Sequence, residues 1–163
     1  MSRISYSEEE DYPGQFNLWQ ANCQRSIAGK QGQAVLRELE AALVALPNRR
    51  LQSHIVACDG DVCAVGAFLL MRKAKEVGSV DEAQRQLEAE MGSEEDQCDI
   101  ETDELGIEAG MPRLVAWKLV ELNDIHFDYK WDAQANKCVE ITPEERYDRI
   151  LAWVRSKLKS EAA

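Results

Sequence analysis

The segment Ala64-Val65-Gly66-Ala67-Phe68-Leu69-Leu70-Met71 carries no polar side chain at any position. A helix built from it is apolar all round, so other elements must cover every face of it. The chain has 163 residues, the size of one domain with one sizeable core, so this helix belongs at the centre. It turns basic at Arg72, Lys73 and Lys75, charges that favour a helix carboxyl end. Ahead of it, His54-Ile55-Val56-Ala57-Cys58 is short and β-branched, Asp59-Gly60-Asp61 is a turn signal, and Val62-Cys63 can pair back. A small hairpin is therefore expected to lead into the central helix.

The other helices should surround it. Phe16, Trp19, Cys23 and Ile27 share one helical face ending near Gly29, with Pro13 in the first turn and Asp11 as a cap. Residues 1–12 are expected to form a flexible segment. Leu36, Leu39, Leu43 and Leu46 stripe a second helix over 31–46, stopped by Pro47-Asn48. Ser79-Val80-Asp81-Glu82 has capping-box spacing and opens a surface helix with Val80, Ala83, Leu87 and Met91 on its narrow face. Residues 102–107 read as a short turn or helix, and 111–122 as a deeply buried helix. Ile125, Phe127, Tyr129 and Trp131 alternate with His126, Asp128, Lys130 and Asp132, the period of a half-buried strand, and 138–141 can return antiparallel. Thr142-Pro143-Glu144-Glu145 combines a cap, a proline at the first helical position and a glutamate at the third. The helix it opens turns Tyr147, Ile150, Leu151, Val154 and Leu158 inward. The expected fold is mainly α (α+β): a single-domain bundle of about six helices over 13–160, with one or two short β-hairpins.

Thirty acids against 19 bases give a net charge of −11, and the imbalance is local. Residues 86–112 contain no Lys or Arg but ten acids: Glu88, Glu90, Glu94, Glu95, Asp96, Asp99, Glu101, Asp103, Glu104 and Glu108. Removing those ten leaves 20 acids against 19 bases. An acidic loop is expected at 92–104. Such a run can simply be a solvated face that keeps the chain soluble. It also sets up a field that speeds encounter with a cationic surface, weakens with salt, and can imitate phosphates to a nucleic-acid-binding groove. The candidate partner-binding residues are Glu94, Glu95, Asp96, Asp99, Glu101, Asp103 and Glu104. Direct nucleic-acid binding is disfavoured, since it requires clustered Lys and Arg. Residues 93–99 lack the alternating ligands, central glycine and closing glutamate of a calcium loop.

Candidate chemistry elsewhere is thin, and neither a catalytic group nor a cofactor is expected. The five cysteines (Cys23, Cys58, Cys63, Cys98 and Cys138) are odd in number and read as reduced thiols. His54, Cys58 and Cys63 invite a zinc reading but lack a tight Cys-x-x-Cys pair and a fourth ligand. Cys63 at a strand-to-helix turn, with His54 or His126 as base, is the arithmetic of a thiol nucleophile and motivates a competing reading: a small enzyme or ligand-binding domain with a pocket near Cys58–Cys63. Glu104-Leu105-Gly106-Ile107 before a second helix resembles a helix-turn-helix, whose reading helix would offer only Arg113 and Lys118. Trp19, Trp117, Trp131 and Trp153 are expected in the core, unless one anchors a homodimer. No apolar stretch suits a spanning helix, and no secretory h-region is expected at the start.

Three stretches carry a family resemblance: Gly32-Gln33-Ala34-x-Leu36-Arg37-Glu38-Leu39, then Val62-Cys63-Ala64-Val65-Gly66-Ala67, then Thr142-Pro143-Glu144-Glu145-Arg146-Tyr147 through Ala152-Trp153-Val154. Together they resemble an uncharacterised family of small acidic bacteriophage and prophage proteins. The resemblance implies a phage setting and a cytoplasmic site of action in the host cell, and transfers no catalytic residue. The functional expectation is a non-enzymatic protein that binds and modulates or inhibits a basic-surfaced host protein. A defence complex of the CRISPR type is its most concrete form.

Overall fold

The computed structural model describes residues 14–126 and 129–160. Residues 1–12, Pro13 and the Asp11 cap lie outside the described residues. The first two helices, α1 (Gln15–Ala28) and α2 (Lys30–Ala45), are separated by Gly29 alone. They meet closely at Gly32, where a Cβ would lie 2.1 Å from the Ser26 carbonyl oxygen. The buried amide of Gln33 closes the junction. It donates to the carbonyls of Ile27 and Lys157, each at 2.9 Å, and accepts from the Lys159 N–H at 2.8 Å. The expected leucine stripe of α2 is buried throughout.

Strands β1 (Ala57–Cys58) and β2 (Asp61–Val62) pair antiparallel across Asp59-Gly60, both at positive φ (51° and 84°), as a primed two-residue turn requires. The strand is shorter than the expected 54–58 because His54 sits at φ 61°, its N–H donating to Asp124. Helix α3 (Ala64–Val77) follows as the expected centre. It packs on α2 and β2, then on α4 (Val80–Met91), α6 (Thr102–Glu108) and α7 (Arg113–Glu121). Phe68, Leu36, Leu39, Leu43 and Leu119 are fully buried around it. At the exit of α3, Arg72 forks onto Glu38 (3.0 and 2.9 Å), lies over the Phe68 ring and reaches the Ala109 carbonyl. That guanidinium holds the Glu38 carboxyl below its usual range.

Between α4 and α6 lies the four-residue helix α5 (Glu94–Gln97). Segment 92–104, expected as a loop, thus contains α5 and the start of α6. Helix α7 runs into a π-helical turn, Leu122–His126, before strands β3 (Tyr129–Asp132) and β4 (Lys137–Glu140). Helix α8 (Pro143–Lys157) begins with the expected capping box of Thr142 and Glu145. The described residues therefore hold eight α-helices with two two-stranded antiparallel sheets, the expected mainly α (α+β) fold with its two hairpins. None of these helices is long and apolar enough to cross a membrane.

The second hairpin departs from expectation in two ways. Where a strand was expected from Ile125, the backbone is π-helical through His126; Phe127 and Asp128 lie outside the described residues. The inward face of β3 is also reversed. Tyr129 and Trp131 are 62% and 61% exposed, while Lys130 and Asp132 are half-buried. Lys130 pairs with Glu145 at the start of α8, which draws the charged face of the strand toward the body. Trp19, Trp117 and Trp153 are partly buried, the first two meeting edge to face with centroids 4.8 Å apart.

The tightest backbone approach is at Gly66, where a Cβ would lie 2.0 Å from the carbonyl oxygen of buried Val56. Gly66→Ala must push α3 off the hairpin and should cost about 1–3 kcal/mol, by analogy with overpacked cores. Urea unfolding followed by circular dichroism measures it.

Candidate functional site

The acidic segment is held in place by a cap at its start and by one buried polar side chain, Gln97. Helix α4 ends at Gly92 (φ 77°), where a Cβ would meet the Asp96 carboxylate at 2.8 Å. Ser93 caps α5, and Asp96 accepts from the Ser93 N–H (2.8 Å) and hydroxyl (2.7 Å), contacts that hold its carboxyl below the usual range. Gln97 is 2% exposed and faces the first hairpin. Its carbonyl oxygen accepts from the N–H groups of Val56 (2.8 Å) and Ala57 (3.3 Å). Its amide donates to the carbonyls of Ala57 (2.9 Å) and Gly92 (3.2 Å). Glu88 of α4 adds a second stitch, accepting from the Gly60 N–H at 2.8 Å.

This framework sets out the candidate partner-binding residues. Glu94, Glu95, Asp96, Asp99 and Glu101 are exposed; Asp103 and Glu104 are half-buried on α6. Glu104 pairs with Arg113 at 3.4 Å, and Glu90 with Lys73 at 2.6 Å. Glu94, Glu95, Asp96, Asp99, Glu101 and Asp103 form no ion pair among the described residues. Exposed charges held on a short helix and on the turn that links it to α6 produce a directional negative field, in contrast to a solvated loop that averages its charge over many conformations.

The competing sites fare differently. Cys63 is buried and its sulfur accepts the Gly66 N–H at 3.2 Å as the cap of α3. Burial, ahead of the nearby Asp124 carboxylate, pushes this thiol up to about 12, so it is a cap with little thiolate character at neutral pH. His54 is exposed, and the His126 side chain lies outside what is described. Among the described residues, the ligand atoms that gather near the first hairpin are those of Cys58, Asp59 and Glu94, which lie within 4.8 Å of one another; His54 and Cys63 are not among them. The Cys58 thiol is 3.8 Å from Glu94 and is pushed up by desolvation, then by Asp59, Glu94 and Glu88. Structural zinc takes four ligands in a closed site, and this open trio offers three.

A shallow groove of about 150 Å³ lies between α1, α7 and α8, lined by Trp19, Cys23, Ile27, Lys118, Trp153 and Lys157 among others, none from the 58–63 region. Helices α6 and α7 form the helix pair expected at 104–122, but its two bases are engaged. Arg113 pairs with Glu104, while Lys118 pairs with Glu121 at 2.8 Å and lies over Trp19. Comparisons with protein-family models, with curated proteins and with solved structures returned no match.

The residue that sequence reasoning missed is Gln97. A polar residue inside an acidic run reads as solvated, and only its i+4 spacing from Ser93 hinted at a helix turning one side inward. Gln97→Ala leaves buried backbone groups of Val56 and Ala57 without that partner and should cost about 2–3 kcal/mol. Hydrogen exchange should show the Val56 and Ala57 amides losing protection before the rest of the core.

The thiols should sort by environment. Iodoacetamide at mildly alkaline pH is expected to label exposed Cys98 and Cys138 first and Cys58 slowly. Buried Cys23 and Cys63, both with raised thiols, should stay unmodified until the chain unfolds. Peptide mass spectrometry after timed quenching reads the order.

Proposed function

We propose that the protein is a non-enzymatic binding protein that docks on a basic-surfaced host protein through its acidic segment and modulates or inhibits it. The supporting observation is the fixed presentation of Glu94, Glu95, Asp96, Asp99 and Glu101, exposed and without ion pairs among the described residues, on a frame anchored by Gln97. Charges placed this way accelerate encounter and select partners by complementarity of potential. The resemblance to small phage and prophage proteins supplies the setting: the host cytoplasm, with a nucleic-acid-handling defence complex of the CRISPR type as the most concrete target. Such a target carries a basic groove for phosphates, and an acidic surface can occupy it.

The test is affinity capture from host lysate at low and high salt, comparing the natural chain with Glu94→Lys, Glu95→Lys and Asp99→Lys combined. The natural chain should retain a discrete basic protein at low salt and release it as salt rises. The triple variant should retain at least tenfold less, because several attractive contacts become repulsive. Retention of the same protein by both chains sinks the proposal.

A further inference from the structure

The β3–β4 hairpin has two chemically distinct faces. In the antiparallel register Tyr129 opposes Glu140 and Trp131 opposes Cys138, while Lys130 opposes Val139 and Asp132 opposes Lys137. Directly opposed residues share a face, as do residues two apart along a strand. One face is therefore Tyr129, Trp131, Cys138 and Glu140, all exposed; the other is Lys130, Asp132, Val139 and Lys137. The second face is tied to the body through Lys130 and Glu145. Among the described residues the first has no such tie. It holds two electron-rich rings and one carboxylate and no base, and Glu140 forms no ion pair among the described residues.

We infer that this outward face, Tyr129 and Trp131 with Glu140, receives arginine side chains of a basic partner segment. Ring faces attract cations through their quadrupole, and a guanidinium, planar and weakly hydrated, stacks on them better than an ammonium. Glu140, across the strand pair from Tyr129, is placed to accept hydrogen bonds from a guanidinium lying over the rings. Residues 129 and 131 stand about 7 Å apart along the strand, the repeat of alternate side chains in an extended peptide. Two arginines at i and i+2 of an extended segment thus match both. The inference rests on the proposed function for the partner's positive charge, but it assigns a separate contact and a chemical preference that the acidic segment cannot supply. Carboxylates on α5 attract both Lys and Arg through charge, whereas the ring faces alone add stacking, which favours the planar guanidinium.

The test compares labelled hexa-arginine and hexa-lysine peptides binding to the full chain by fluorescence anisotropy at moderate salt, where surface electrostatics is reduced. The natural chain should prefer hexa-arginine about fivefold, the scale of an exposed cation–π contact. Trp131→Ala and Tyr129→Ala should each bring the ratio toward one with hexa-lysine affinity nearly unchanged, while Trp131→Phe, which keeps a ring on the strand, should retain a preference. Equal affinities in the natural chain overturn the inference. So does a preference that survives both alanine variants, and so does a phenylalanine variant as indifferent as alanine. Charge reversal at Glu94, Glu95 and Asp99 should weaken both peptides together at an unchanged ratio. If it weakens neither, the acidic-surface proposal fails while the ratio still judges the hairpin.

Discussion

The structure depends on a helix that starts inside its own core. Cys63, Ala64, Val65 and Gly66 are all nearly inaccessible to solvent, so the donors of the first turn of α3 cannot turn to water. Buried N–H groups without partners are costly, and each helix start brings up to four of them. Here the Cys63 sulfur takes the Gly66 N–H, the Asn123 side-chain oxygen Oδ1 takes that of Ala64 at 3.3 Å, and the Cys63 carbonyl takes that of Ala67 at 2.8 Å. Much of the surrounding architecture serves that requirement. The π-helical turn brings Asn123 to the start of α3, and buried Arg146 steadies the turn by donating to the backbone carbonyl of Asn123 at 3.0 Å and to that of Leu51 at 3.3 Å. The first hairpin covers the same end and is in turn satisfied by Gln97.

Viewed this way, the acidic segment has a double character. Its inner side is a structural clasp whose buried amide belongs to the core's hydrogen-bond economy. Its outer side is a row of carboxylates. Folding energy thus fixes the positions of charges that would otherwise repel one another into an open loop, and order is reached through backbone bonds and caps without neutralising them.

Legibility followed periodicity and capping. The central helix, the leucine stripe of α2 and the Thr142–Glu145 capping box were plain in the sequence, because each rests on local rules: all-round apolarity, helical spacing, satisfaction of end groups. The mainly α fold with two hairpins followed from them. What stayed hidden depended on tertiary partners. Alternation revealed β3 but not which side faced in, since Tyr129 and Trp131 out with Lys130 in has the same period as the reverse. The deciding contact, Lys130 with Glu145, spans two elements. Gln97 was invisible for a similar reason: its four partners lie on the first hairpin and the end of α4. The acidic candidates were legible by composition alone, whereas their anchoring was not.

The clasp at Gln33 bears on how the chain is made. Its partners Lys157 and Lys159 lie 124 and 126 residues further along, and the Tyr147 hydroxyl reaches back to the Leu43 carbonyl over 104. During synthesis α2 therefore emerges from the ribosome long before the groups that complete it, and its apolar stripe waits for α3 and then α8. Contacts of such separation are slow to close and leave a nascent chain sticky in the interval. A ribosome that stalls before α8 would release a product with an open seam, suited to recognition by chaperones or proteases.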